Sequence, residues 1–272
     1  MSEEYLQEVT LPSRGIFYNG EVPDGVVTIE PMGTREEKLF ASGKSGDLVL
    51  DKIFDQCIGI PIPHRKLVLG DRLYLLLRLR TVSYGDEYSF PFRCSECEKK
   101  SYASIHLSCI QVKSPKEGAD PTFSVELPIL GNTLELRLLT GEDNDKAKRY
   151  VQQLTRATKK GEADVGGLEY VYRAARRIVS IDGEPCGIKE AMELVEKLKG
   201  MDSIAVRDAI DENEVGPILE VEPECNHCRY VNGPLTIPMD REFFRPKRNR
   251  PNVVDHIAAA EALDARRETS VE

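Results

Sequence analysis

The sequence predicts an α+β fold. Two blocks of helix-period apolar residues alternate with short extended runs, and two of those runs end in Cys-x-x-Cys. One is Pro91-Phe92-Arg93-Cys94-Ser95-Glu96-Cys97; the other is Val221-Glu222-Pro223-Glu224-Cys225-Asn226-His227-Cys228. A Cys-x-x-Cys turn places two thiolates on one metal ion, and two such turns complete a tetrahedral sulfur site of the kind zinc prefers. Cys94, Cys97, Cys225 and Cys228 therefore read as one zinc-ribbon-like pair of β-hairpins, split by a helical insertion and preceded by a helical part. Between Cys97 and Cys225 lie 127 residues, far more than in a compact zinc finger, so the metal would tie two halves of the chain together.

Composition sets the class. The chain has 272 residues, 40% of them apolar and 31% charged, which suits one large domain or two small ones with an ordinary core. The longest apolar-rich run, Leu67 to Leu79, is broken by Asp71, Arg72 and Arg78, well short of the ~20 residues a bilayer needs, so no membrane insertion is expected. The acidic start, Met1-Ser2-Glu3-Glu4, lacks the basic-then-apolar pattern of a secretory signal and predicts synthesis in the cytoplasm. There, seven cysteines point to metal rather than disulfides. A redox pair would open a helix in a strand-helix-strand unit, whereas both pairs here lie between strand-like runs. A net charge of -9 opposes a nucleic-acid coat. The one basic cluster, Arg245, Lys247, Arg248 and Arg250, reads as a solvated run before an anion-binding arm.

In chain order, residues 1–31 form an extended N-terminal arm, with turns at Leu11-Pro12-Ser13-Arg14-Gly15 and Asn19-Gly20 and a strand at Val26 to Ile29. Residues 32–87 are helical. Thr34 with Glu37 resembles a capping pattern. Leu50, Ile53, Phe54, Cys57 and Ile58 make one helix face, and Asp71 is placed to cap a helix carrying Leu73, Leu75, Leu76, Leu77 and Leu79 on nearly every side. Such a helix is buried, so Arg78 and Arg80 would need carboxylate partners or an exit to solvent. Residues 88–139 hold the first zinc knuckle and two hairpins, the second turning at Gly131-Asn132. Residues 140–215 are the helical insertion: Thr140 and Asp143 form a cap, three amphipathic faces follow, and Asp202-Ser203 caps a fourth helix. Residues 216–246 return with the second knuckle, and 247–272 are a basic, Ala-rich tail with a weakly amphipathic stretch from Val253 to Arg267.

The chemistry points away from catalysis. Zinc held by four thiolates has no open position for an activated water and is structural. His227, inside the second turn, and Cys109, near the first pair, are alternative donors, but four cysteines at matched spacing are the simpler set. No phosphate loop, His-Glu-x-x-His or Gly-x-Ser-x-Gly is present, and His64, His106, His227 and His256 share no helix face. No small-molecule substrate is implied.

The ordered motifs resemble a family. Leu11-Pro12-Ser13-Arg14-Gly15 with Tyr18 and Gly20, Ile29-Glu30-Pro31-Met32, Arg35-Glu36-Glu37, Cys57-Ile58, Gly70-Asp71-Arg72 and Arg80-x-x-Ser83-Tyr84-Gly85-x-x-Tyr88 come first. The two Cys pairs, Leu127-Pro128, Leu138-Leu139-Thr140, Asp202-Ser203 and Phe243-Phe244-x-Pro246 follow. From about residue 8 to 246 the chain resembles the baseplate (hub) proteins of T-even-like contractile-tailed bacteriophages. The resemblance implies a structural or assembly protein of the tail baseplate, not an enzyme. Its partners would be other baseplate and tail proteins or further copies of itself, and its place the virion. The alternative, a cytoplasmic zinc-ribbon adaptor acting near nucleic acid through Arg245 to Arg250, would show a salt-sensitive affinity for DNA or RNA.

Overall fold

The computed structural model describes residues 6–41, 46–157 and 165–245, and the fold is α+β. The chain divides into two units, Met1–Ile237 and Pro238–Glu272.

In the first unit, strand β1 (Gln7–Thr10) pairs antiparallel with β2 (Val26–Ile29). Between these strands the chain makes 3-10 turns at Ile16–Tyr18 and Pro23–Gly25, and the segment packs on the body: Val9, Leu11, Tyr18, Val22, Val27 and Ile29 are buried. Helix α1 (Thr34–Ala41) begins at Thr34 itself; the capping carboxylate is that of Glu36, which accepts the N–H of Gly33 at 2.7 Å. Helix α2 (Gly46–Cys57) buries Val49, Ile53, Phe54 and Cys57, and Ile58 passes into β3 (Ile58–Gly59), which pairs with β2.

Helix α3 (Leu69–Tyr84) is the buried central helix, with Leu75, Leu76, Leu77 and Leu79 in the core. Asp71 is not its cap. Val68 takes that position, and the wholly buried Asp71 carboxylate turns toward the N-terminal segment, where the N–H of Ser13 (3.0 Å) and the hydroxyl of Tyr18 donate to it. Burial pushes the Asp71 carboxyl above the usual carboxylate range and, with Asp71 beside it, pushes Tyr18 up as well. Arg80 is buried, not led out to solvent: its guanidinium donates to the carbonyls of Gly85 (2.8 Å) and Glu87 (3.3 Å) and lies over the Tyr84 ring. Fixed backbone dipoles thus contribute to holding its charge inside the fold.

Strands β4 (Glu87–Arg93) and β5 (Lys100–His106) pair in register along their whole length, and β6 (Val112–Lys113) follows. Strands β7 (Thr122–Glu126) and β8 (Thr133–Arg137) form the second hairpin. Helix α4 (Gly141–Ala157) opens on the expected Thr140/Asp143 box, the two exchanging hydrogen bonds through side chain and backbone. Arg137 from β8 and Arg176 from α5 (Val165–Arg177) both grip Asp143, at 2.7 Å each. Although burial alone would raise it, these guanidinium groups and the Thr140 N–H hold the Asp143 carboxyl far below the usual range.

A third hairpin was not expected. Strand β9 (Ile178–Ile181) adds to β8, and β10 (Glu184–Pro185) adds to β9, giving a sheet ordered β10-β9-β8-β7. Its turn, Asp182-Gly183, has both residues at positive φ, the geometry that favours tight hairpins. Helices α6 (Ile188–Lys197) and α7 (Gly200–Asn213) complete the insertion. Asp202 sits inside the first turn of α7 rather than at its cap, accepting the N–H of Lys199 (3.1 Å) and of Ile129 (2.7 Å). Leu127, Leu134 and Leu136 form the core beneath, packed by Ile178, Leu194, Val206 and Ile210.

The chain then returns. Strand β11 (Gly216–Pro217) pairs with β6, and β12 (Glu220–Val221) pairs with β13 (Leu235–Thr236). At the return, Gly216 (φ +115°) crosses Gly70 of α3 so closely that a Cβ on Gly70 would lie 1.7 Å from the Val215 carbonyl oxygen. In the second unit, Asp240 accepts the N–H groups of Glu242 and Phe243 at the start of α8 (Arg241–Phe244), whose Phe243 and Phe244 rings meet edge-to-face at 4.9 Å. The tail 247–272 lies outside the described residues. No helix among the described residues is long and apolar enough to cross a membrane.

Candidate metal centre

Each half of the centre is a Cys-x-x-Cys turn closed by the same two backbone bonds. In the first, the N–H of Glu98 donates to the Cys94 carbonyl (3.0 Å) and the N–H of Cys94 to the Lys99 carbonyl (3.1 Å). In the second, Arg229 donates to Cys225 (3.0 Å) and Cys225 to Tyr230 (2.9 Å). The residue after each second cysteine, Glu98 or Arg229, takes a left-handed φ of 56° or 64°. This turn points the backbone N–H groups behind the first cysteine toward its sulfur.

The two turns face each other. Cys94 Sγ lies 3.7 Å from Cys228 Sγ and Cys97 Sγ 3.7 Å from Cys225 Sγ, with all four sulfurs within 4.8 Å of one another. A disulfide needs about 2.05 Å, so these are separate sulfurs. Four sulfurs around an ion at ~2.3 Å form a tetrahedron with edges near 3.8 Å, which the two 3.7 Å pairs match. The four cysteines are close enough to hold one metal ion.

The electrostatics ask for a cation. Backbone N–H groups of Cys97 and Glu96 lower the pKa of Cys94, and those of Cys228 and His227 lower that of Cys225 to about 6. The N–H of Tyr230 lowers Cys228 too, but desolvation and the sulfurs of Cys97, Cys225 and Cys94 outweigh it and push Cys228 up to about 12. Without a metal the sulfurs compete for protons; a divalent ion would supply the charge that lets all four ionise.

The alternative donors fall away. His227 turns its Nε2 to the Lys100 carbonyl at 3.0 Å, and Cys109 is exposed outside the cluster. Behind the cysteines lies a residue that spacing gave no reason to single out. Asn232 is buried: its Oδ1 accepts the N–H (2.9 Å) and hydroxyl (3.1 Å) of Ser95 from the first turn, while its Nδ2 donates to the carbonyls of Pro223 (3.2 Å) and Tyr230 (3.3 Å) in the second. Ser101 does the reverse, its buried hydroxyl accepting the N–H of Asn226 at 2.9 Å. Each turn is thus held by a side chain from the other's strand.

Fold and centre together define an α+β protein closed by a split four-cysteine knuckle. A family model described as T4 bacteriophage base plate protein matches residues 14–245, and the chain belongs to that family. It is also similar to an argininosuccinate synthase from Synechococcus sp. (strain JA-2-3B'a(2-13)), 25% identical over 191 residues, 70% of this chain. The chain spans about two-fifths (41%) of that protein's length. No solved structure matches.

Proposed function

We propose that Cys94, Cys97, Cys225 and Cys228 hold one Zn2+ as a closed structural site. The protein that this site clamps is a structural or assembly component of the hub region of a contractile phage tail baseplate. It works through contacts with other tail proteins or with further copies of itself, and it resides in the virion. The observation that carries the reading is the sulfur tetrahedron, assembled from turns 128 positions apart inside a chain of the baseplate family. A closed thiolate site has no position for substrate or activated water, which fits a non-enzymatic role. The partial similarity to a synthase transfers no activity, since it reaches less than half of that protein.

The contacts are assigned to the N-terminal arm, residues 1–31, and to the C-terminal segment, residues 247–272, since extended segments can lie along or add to neighbouring subunits; within the arm, Ser13 and Tyr18 are already engaged by Asp71. The test is native and denaturing mass spectrometry of the purified chain beside a Cys94→Ser/Cys225→Ser variant. About one zinc per chain, lost in the variant, is expected; a metal-free chain with reduced cysteines would remove the clamp. For the role, a chain lacking 247–272 should keep its zinc yet fail to enter baseplates; normal entry would sink the assignment of contacts to that end.

A further inference from the structure

The insertion carries a second feature that the metal clamp does not use. Between α5 and α7 lies a cleft of about 280 Å³, at the small end for ligand sites and suited to one or two side chains. Leu134 and Ile178 line it from the sheet, and Val206 and Ile210 line it from α7. Its charged lining is the guanidinium groups of Arg173, Arg177 and Arg207 against the carboxylate of Asp211; Arg173 is already engaged by Glu169 (3.7 Å) and Asn144 (3.0 Å), which leaves Arg177 and Arg207. This cationic cluster stands out in a chain whose net charge is -9.

Among these side chains Arg177 is the unsatisfied one. Its Nη1 is buried and has no hydrogen-bond partner among the described residues. Burial disfavours its charge, Glu214 opposes that effect, and the like charges of Arg173 and Arg137 add to it. Arg207 is exposed, and its Nε reaches only back to the Ser203 carbonyl of its own helix. Apolar surface is exposed at the cleft as well: Tyr170 in its lining is 63% exposed. Buried polar groups are almost always paired, so a buried guanidinium nitrogen without a partner, on a residue that lines an apolar cleft, marks a place where an acceptor is missing.

We propose that the α5–α7 cleft is a docking site for a segment of a neighbouring tail protein that inserts an aliphatic or aromatic side chain and brings a carboxylate onto Arg177. The identity of the partner as a tail protein rests on the baseplate reading; the chemistry of the segment does not. The apolar side chain covers Leu134 and Ile178, the Arg177 guanidinium turns to bring its unpartnered Nη1 onto the carboxylate, and Arg207 and Tyr170 close over it at the rim.

Two arms test this. In the first, Tyr170 is replaced by a photo-crosslinking benzoylphenylalanine in the full chain, and assembled baseplates are irradiated. The expected crosslink is to another tail protein, at a peptide with an apolar residue within two positions of Asp or Glu. Its yield should drop at least tenfold in both Arg177→Gln and the exposed Arg207→Glu variant, with melting temperature and metal content unchanged. Crosslinks to a second copy or to residues 246–272 of the same chain, or an undiminished yield in both variants, would overturn the proposal.

In the second arm, the purified chain is titrated with blocked Gly-Leu-Glu-Phe-Gly and its Lys-for-Glu counterpart. The Glu peptide should shift the amide resonances of Tyr170, Arg177 and Ile210 while the Lys peptide does not. No shift, or equal shifts, would overturn the docking chemistry. Absence of the wild-type protein from baseplates would instead overturn the functional reading, leaving the peptide arm to decide the cleft.

Discussion

The two metal turns share one backbone geometry but are supported very differently. The first is the tip of a hairpin paired over the seven positions of β4 and β5, with Tyr88, Phe90, Phe92 and Ala103 buried beneath it. The second hangs on the two-residue strands β12 and β13 and a single bridge between Glu224 and Val231. Two-stranded pairs are marginal in water unless a face packs on other elements, and only the first hairpin has a long, packed face. The first turn is therefore better supported, and Asn232, Ser101 and the His227 contact tie the second to it, as a metal held by the four sulfurs would. Local structure and chemistry can divide a symmetric task unequally.

Metal removal should break this comparison most clearly. After chelation, amide exchange in residues 222–234 is expected to rise by orders of magnitude, while residues 87–93 and 100–106 keep most of their protection. Equal loss in both would show that the hairpin, too, depends on the ion. Structural zinc in small finger peptides contributes about 10–16 kcal/mol, and here that contribution should be localised to the second turn.

Asn232→Ala comes next. It strips the Ser95 and Pro223 partners at a buried position, which costs about 1–3 kcal/mol. Metal affinity should fall roughly 10–100-fold, as for other groups that orient ligands from behind. A competition titration against a chromophoric chelator would measure this; unchanged affinity would mean that the turns orient themselves.

The insertion supplies a contrast that titrates. Asp143 has a depressed folded pKa, so its ion pairs contribute stability that is present above the unfolded value of about 3.9 and is lost as pH falls from there toward the folded value. Asp143→Asn should flatten the pH dependence of stability below about pH 4. Between pH 5 and 7 it should instead cost a roughly constant amount, read from urea midpoints across that range. An unaltered acid slope would remove Asp143 as its source.

The smallest effect concerns the surface pairs flanking each turn. Arg93–Glu98 and Glu224–Arg229 occupy the same two positions around their turns with the charges reversed, and all four side chains are at least half exposed. Exposed pairs of this kind contribute little. Swapping the charges of either pair should change the melting free energy by less than about 0.5 kcal/mol, and a larger change would implicate them in the clamp.

Much of this was legible from the sequence. Cys-x-x-Cys spacing fixes which sulfurs can meet, and the sulfurs of Cys94, Cys97, Cys225 and Cys228 do meet. Apolar residues on nearly every side of the Leu73–Leu79 stretch marked α3 as a buried helix, and the Thr140/Asp143 box marked the start of α4. What escaped depends on distant partners. Asp71 has the local look of a cap, yet its carboxylate serves Ser13 and Tyr18, more than fifty positions earlier. Asn232 bonds Ser95 across 137 positions, and no local pattern encodes that. The β9–β10 hairpin escaped for a different reason: it lies inside the stretch 140–215 that helical periodicity assigns to an insertion, although Ile178 to Ile181 carries the β-branched residues of a strand.

The crossing of Gly216 over Gly70, and the long gap between the two thiol pairs, also set an order of events. At about 5–20 residues per second, the second pair is synthesised roughly 6–25 s after the first. In that interval the first hairpin can form but can offer a metal only two ligands. Full coordination waits until the insertion has been made and the chain has come back across the central helix. With a metal bound, the four-sulfur site would thus report completion: a chain that stalls within the insertion would never acquire the cross-link, and would stay open to the proteases that remove unfinished products.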